Sequence, residues 1–262
     1  MMGTVYKLKG VRFNNPDLPN INPFVSASAL VLGYEFKYRN FTDIVTSRSA
    51  KTFSAPYKGA VVESDTWPPS TSDGMGVNIN EACIDASARP YSLNSDGSTP
   101  ITFMIVAGRS GGGLNSGGNA SPFISPILNW GNDFGNGAGL MVQFSSTGNF
   151  GVRYNNQSEG NVKLPDNGKS PGIYFVTYDG VSAWTLRNMT TGAVATSVST
   201  ASDMKPVSSL NPVQVGTKNN QVGLYLLPFN IYQVAVWDKV LSADEIATQA
   251  RWTRKALPML AI

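Results

Sequence analysis

The segment Gly172–Gly192 constrains the fold of this chain more than any other. Ile173-Tyr174-Phe175-Val176-Thr177-Tyr178 is a run of β-branched and aromatic residues that ends on Asp179-Gly180, a dipeptide suited to tight hairpin turns. Ala183-Trp184-Thr185-Leu186-Arg187 runs back, Thr191-Gly192 turns again, and Ala193–Val198 follows. Strands joined by turns this short must be antiparallel neighbours, because a parallel pair needs a crossover of about a dozen residues or more.

The same punctuation extends in both directions. Ile101-Thr102-Phe103-Met104-Ile105-Val106-Ala107 is nearly all apolar, as a strand buried on both faces requires. Ile127–Trp130, Gly139–Phe144, Phe150–Tyr154, Val213–Gly216, Val222–Leu227 and Ile231–Trp237 are further strand candidates, the last of them central. Upstream, Leu30, Leu32, Tyr34, Phe36 and Tyr38 alternate with smaller or charged residues, a half-buried strand. One helix is expected near 242–255. It opens on Ser242-Ala243-Asp244-Glu245, a capping box, and carries Arg251, Arg254 and Lys255 where cations suit the dipole. About a dozen short strands with one terminal helix and no strand–helix alternation predict an all-β, two-sheet antiparallel sandwich.

Composition narrows the chemistry. The 262 residues contain no histidine, which removes Ser-His-Asp and Cys-His catalysis and zinc sites with imidazole ligands. Cys83 is the only cysteine, so no intrachain disulfide forms, and a small buried hydrophobe is its expected role. The formal charge is +3 and only 14 % of residues are charged, so neither nucleic acid nor an acidic membrane surface is indicated as a partner. No apolar stretch is long enough to span a bilayer, and the first residues, Met1-Met2-Gly3-Thr4-Val5-Tyr6-Lys7, do not read as a signal peptide. The loop Gly108–Gly118 is glycine-rich but lacks the Lys and Ser/Thr of a phosphate loop.

Residues 14–24 read Asn-Asn-Pro-Asp-Leu-Pro-Asn-Ile-Asn-Pro-Phe, and prolines at this density favour an extended connector. Residues 1–22 are therefore read as an N-terminal attachment arm and 23–262 as the domain. Val5, Leu8, Val11 and Phe13 are the arm residues expected to dock on a neighbour, by adding a strand to a sheet edge; the alternative is that the arm is a first strand paired within its own sheet.

Gly172–Gly180, Trp184-Thr185-Leu186 and Thr191-Gly192 resemble the meander of the concanavalin A-like lectin/glucanase superfamily, in its LamG-like (laminin G/pentraxin) branch. Pro228-Phe229-Asn230-Ile231-Tyr232-Gln233-Val234-Ala235-Val236-Trp237-Asp238-Lys239-Val240-Leu241-Ser242-Ala243-Asp244-Glu245-Ile246 is similar to that family's last strand and helix start. The resemblance covers about residues 101–256 and implies a jelly roll whose terminal helix closes one end of the core. Glycan-hydrolysing branches carry a Glu-x-Asp-x-x-Glu strand. Here Glu63-Ser64-Asp65 has the first two carboxylates, but Pro68 stands where the second glutamate belongs, so no enzyme activity is expected. Many LamG-like domains hold calcium at the sandwich rim. Asp133, with Asn129, Asn132 and Asn136 around it, and Asp179 are the weak candidates for such an ion; a turn-forming role explains Asp179 without metal, and no cofactor is expected.

The resemblance extends to LamG-like proteins of bacteriophage virions, on tails, baseplates, collars or capsids. It implies a non-enzymatic structural or adhesive virion component, made in the bacterial cytoplasm, whose partners are other virion proteins and itself as a symmetric homo-oligomer. The alternative is a glycan-binding module for host-surface carbohydrate; a carbohydrate-active hydrolase ranks third. Sugar sites combine an aromatic platform with amide and carboxylate hydrogen bonds. The loop Asn129–Asn136 offers Trp130, Asn132 and Asp133; Tyr154 with Asn155 is a second group, and Trp67 beside Pro68-Pro69 a third.

Overall fold

The computed structural model describes residues 22–45, 51–54, 70–79, 82–85, 100–110, 125–133, 138–144, 149–154, 162–166, 168–198, 214–216 and 229–262, and all counts are of these residues. Fourteen strands, numbered along the chain, form two seven-stranded antiparallel sheets. Sheet I has the order β1 (Leu30–Glu35), β14 (Phe229–Trp237), β5 (Ile101–Arg109), β10 (Gly172–Tyr178), β11 (Ala183–Asn188) and β12 (Val194–Val198). In it β3 (Val77–Ile79) also pairs with β14, on the side of β1. Sheet II runs β2 (Lys51–Ser54), β4 (Ala82–Asp85), β13 (Gln214–Gly216), β6 (Ser125–Asp133), β7 (Ala138–Phe144), β8 (Asn149–Tyr154) and β9 (Val162–Pro165). The antiparallel sandwich expected from the meander is therefore present, with β14 in the interior of its sheet.

The continuous apolar runs in sheet I follow from burial on both faces. In β5, Ile101, Phe103, Ile105 and Ala107 face the other sheet, while Met104 and Val106 belong to a second apolar layer behind. In β10 the same division separates Tyr174, Val176 and Tyr178 from Ile173 and Phe175. Strand β14 would lose this parity along its length, but a bulge restores it. Ile231 and Gln233 oppose the adjacent residues Ala107 and Val106, so Tyr232 is the extra residue. Phe229 and Ile231 before the bulge and Val234 and Val236 after it then all face the inter-sheet core. In sheet II Thr52, Ile84, Val215, Leu128, Val142, Val152 and Val162 lie opposite one another across all seven strands, and of these Ile84, Val215, Val142, Val152 and Val162 belong to the same core. At the edge strand β9 the alternation is clean, with Val162 and Leu164 buried and Lys163 and Pro165 exposed. Aromatic rings join the sheets: Phe144 packs on Phe150, Tyr174 and Phe229 with centroids 5.0, 5.3 and 5.1 Å away.

Helix α1 (Ala243–Ala256) starts where the sequence indicated. The Ser242 hydroxyl accepts from Glu245 N at 3.2 Å, and the Glu245 carboxylate accepts from Ser242 N at 2.8 Å. Its position differs from expectation. The helix does not close one end of the sandwich; it lies on the outer face of sheet I, and its buried stripe of Ile246, Gln249, Ala250 and Thr253 covers the layer built by Met104, Phe175, Ala235 and Trp237. Two of those four residues are polar, and both are hydrogen-bonded. Thr253 Oγ1 donates to Gln233 Oε1 at 2.9 Å, and Gln233 Nε2 donates on to Glu35 Oε1 at 2.7 Å. Gln249 Oε1 accepts from Val25 N at 2.8 Å, and its amide donates to Pro23 O at 3.2 Å.

The stretch 22–29 is thereby part of the outer layer. Phe24 meets Trp237 edge-on at 6.1 Å, Trp237 Nε1 donates to Val25 O at 2.8 Å, and Ser26 is hydrogen-bonded to Glu245. Residues 1–21, and with them Val5, Leu8, Val11 and Phe13, lie outside the described residues. Another expectation changes at the far end of β1. The alternation read through Tyr38 stops at Phe36: Leu32, Tyr34 and Phe36 are in the core, but Lys37–Arg39 form a short turn that sends Tyr38 outward.

Candidate functional site

Four of the residues singled out as ligand candidates come together through the register of sheet II. Trp130 on β6 lies opposite Leu140 on β7, and Leu140 lies opposite Tyr154 on β8. Asp133 pairs with Ala138 where the same hairpin closes. The ends of three adjacent strands therefore hold Trp130, Asn132, Asp133 and Tyr154 in one place, although 24 positions separate the first from the last in the chain. The stretch Asn129–Asp133 is strand rather than the loop the sequence suggested. Two bulges, one between Pro126 and Leu128 and one between Trp130 and Asp133, irregularise β6 at this point. Asn155, Asn136, Trp67, Glu63 and Asp65 lie outside the described residues.

Six of the described carboxylates are taken up by the fold. Asp43, buried, accepts from Gly33 N at 3.0 Å and Val45 N at 3.1 Å, which covers part of the outer edge of β1. Asp73 accepts from Met75 N at 2.9 Å and from the Thr71 hydroxyl. Asp166 is a hub between strands: it accepts from Gly168 N at 2.8 Å, Tyr174 OH at 3.0 Å and Asn188 Nδ2 at 2.6 Å. Burial and the adjacent Asp166 charge push the Tyr174 phenol up, so it stays protonated as a donor. Glu35 accepts from Gln233. Asp179 receives Val181 N, Ser182 N and Ala183 N at 2.8, 2.8 and 2.9 Å. Burial alone would raise its pKa, but those three donors outweigh it and hold the carboxyl below its usual range. One carboxylate oxygen accepting three successive backbone donors is the turn-forming role. Among the described residues no three His, Cys, Asp or Glu side chains cluster as a metal site would require.

Glu245 is the most strongly perturbed acid. The Lys239 ammonium at 2.7 Å, the Ser26 hydroxyl and the Ser242 amide together lower it to about 2. These partners tie the N-terminal stretch, the exit of β14 and the start of α1 to one carboxylate.

One feature escaped the sequence reading. The most exposed aromatic ring among the described residues is Tyr38, at 65 %, held between Lys37 and Arg39. The strict alternation from Leu30 hid it, since residue 38 continues the series 32, 34, 36 that does enter the core.

Comparison with known proteins places the architecture. The chain shares its fold with a Trypanosoma rangeli sialidase mutant displaying trans-sialidase activity (TM-score 0.55, 10 % identity, 88 % of this chain and 34 % of that one). It also matches the binding domain of Paraclostridial Mosquitocidal Protein 1 (TM-score 0.56, 9 % identity, 87 % and 53 %). A third match is the binding domain of botulinum neurotoxin DC in complex with SialylT (TM-score 0.53, 10 % identity, 86 % and 52 %). The chain spans about a third of the sialidase and about half of each toxin binding domain. Identities this low carry the fold alone. No family model and no curated protein sequence matches.

Proposed function

We propose that this chain is a non-enzymatic glycan-binding module. The observation that carries this reading is the use of the described carboxylates. Glycoside hydrolysis needs an acid and a second carboxylate facing each other across a bond, about 5–10 Å apart. Here Glu35, Asp43, Asp73, Asp166, Asp179 and Glu245 each hold backbone or side-chain donors at separate points of the fold. The shared fold adds support, because a toxin binding domain of this architecture is seen with the glycan SialylT, and the same domain also with rat synaptotagmin II. The end of β6–β8 is the first place to test for a sugar, because sheet register brings the positions of two aromatic residues, Trp130 and Tyr154, close to those of Asn132 and Asp133. On a glycan array the full chain should bind a subset of oligosaccharides, and Trp130→Ala or Tyr154→Ala should reduce that binding about tenfold or more with the melting curve still cooperative. Binding that survives both substitutions removes this end of the sheet as the site; hydrolysis products in the same assay overturn the non-enzymatic reading.

A second reading, compatible with the first, is a LamG-like component of a bacteriophage particle, with residues 1–22 docking it to virion proteins or to further copies of itself. It is supported by the pinning of residues 23–26 to Gln249, Trp237 and Glu245, which gives the preceding segment a fixed point of departure. A chain lacking residues 2–21 should fold and melt as the full chain does, yet fail to enter particles or oligomers. Unchanged assembly overturns the docking role.

A further inference from the structure

The turn after β1 is held in a conformation its side chains disfavour. Tyr38 has φ 53° and Arg39 φ 58°, two consecutive non-glycine residues in the left-handed region, where Cβ crowds the backbone. Neither is Asn or Asp, the side chains that tolerate that region best. Three backbone bonds impose it: Tyr38 N donates to Gly74 O at 2.8 Å, Arg39 N to Phe36 O at 3.1 Å and Asn40 N to Lys37 O at 3.1 Å. Beneath the turn Phe36 is fully buried, stacked on Tyr34 with centroids 5.6 Å apart and packed on Phe41 at 5.9 Å. The base is therefore rigid, while the Tyr38 ring above it is 65 % exposed.

The fold gains little core from this arrangement, since it turns outward a residue that alternation would have sent inward. Backbone strain that survives at an exposed tip is a mark of a functional position. The neighbours define the chemistry. Lys37 Nζ stands 5.5 Å from the Tyr38 ring centroid, and the Arg39 guanidinium stands 5.8 Å from the Phe41 ring. An exposed aromatic ring with an ammonium over it, next in the chain to a guanidinium that lies over the Phe41 ring, suits a ligand that is flat, weakly apolar on one side and anionic at its rim.

We propose that Lys37, Tyr38 and Arg39 form a binding site for a carboxylate-bearing sugar. The phenol ring takes the C–H face of the pyranose, and Lys37 and Arg39 take its carboxylate through charge-assisted hydrogen bonds. The inference rests on the glycan-binding reading, and it assigns a second location, on the β1/β3 side of sheet I rather than the β6–β8 end of sheet II.

Calorimetric titration of the full chain tests it, with 3′-sialyllactose and tetragalacturonate as carboxylated probes and lactose and maltotetraose as neutral ones. The carboxylated probes should bind more tightly, and added salt should weaken them. Tyr38→Gly is the decisive variant. Glycine accepts a positive φ, so the melting temperature should stay or rise while affinity for the carboxylated probes falls about tenfold or more. Lys37→Gln and Arg39→Gln should weaken the carboxylated probes and leave the neutral ones unchanged. A lowered melting temperature in Tyr38→Gly with affinity retained makes the ring structural and overturns the site. Neutral sugars binding alone, or carboxylated sugars lost in Trp130→Ala but retained in Tyr38→Gly, overturn this site and leave the glycan-binding reading standing. Failure of every probe on the unaltered chain overturns the site, and an empty glycan array alongside it removes that reading too.

Discussion

Glu245 shows how much one side chain can join. Its carboxylate caps its own helix through Ser242 N, pairs with Lys239 at the exit of β14 and holds Ser26 of the N-terminal stretch. Its folded pKa, about 2, lies below the ordinary glutamate value, so its contribution to stability is complete above about pH 4.5 and is lost as the pH falls toward 2. Acid titration of the melting temperature should therefore show a loss between about pH 4.5 and 2 that is much reduced in Glu245→Gln. An identical acid profile in the variant would mean that other carboxylates dominate. The capping role of Glu245 was legible, because a capping box is four consecutive residues. Its bonds to Ser26 and Lys239 were not: Ser26 is 219 positions away, and local pattern carries no information about such a partner. Tyr38 is the reverse case, where a clean local alternation pointed inward but the residue turns out, its N–H donating to Gly74 O.

Among the elements, helix α1 was the easiest to read and its docking the hardest. Ser242→Ala should lower stability by about 1 kcal/mol through the lost cap, measured by denaturant unfolding, and the Ser242→Asp variant should recover most of it. The buried stripe includes Gln249 and Thr253, which a search for apolar periodicity passes over. They are buried because Gln233, Val25 and Pro23 supply partners for them. The extra residue Tyr232 has the same character. Without the bulge, Val234 and Val236 would read as facing away from Phe229 and Ile231, yet all four line one core. In sheet II the strands were visible one by one, whereas the row joining Trp130 to Tyr154 depends on pairing across β7 and so emerges only with the fold.

At the scale of the whole molecule the three layers are sheet II, sheet I and a covering of α1 with residues 23–29. No helix among the described residues is long and apolar enough to cross a membrane. The covering layer makes the position of a truncation matter. Removing residues 2–21 leaves the contacts of Phe24, Val25 and Ser26 with Trp237, Gln249 and Glu245 in place. Removing residues 2–26 strips Phe24 from Trp237 and leaves Gln249 with unmatched polar groups in a buried place, which should cost about 3–5 kcal/mol for the lost aromatic alone. Paired thermal melts of the two truncations check this: the shorter deletion should match the full chain and the longer one should melt well below it. Equal melting would move the boundary of the folded unit past residue 26.

The central place of β14 has a consequence for how the chain is made. The strand that joins β1 to β5 comes after every other described strand in chain order, and Val25 reaches its partner Gln249 across 224 positions. Until Phe229–Trp237 leaves the ribosome, β1 and β5 have facing edges with nothing between them, and the apolar sides of both are open to water. Contacts this distant in sequence form slowly, because a long loop must close before any of them is made. A nascent chain stopped before Phe229 would hold unpaired strands ready to join those of another copy. Pairing of β14 with both neighbours is therefore the step that protects this sheet from aggregation.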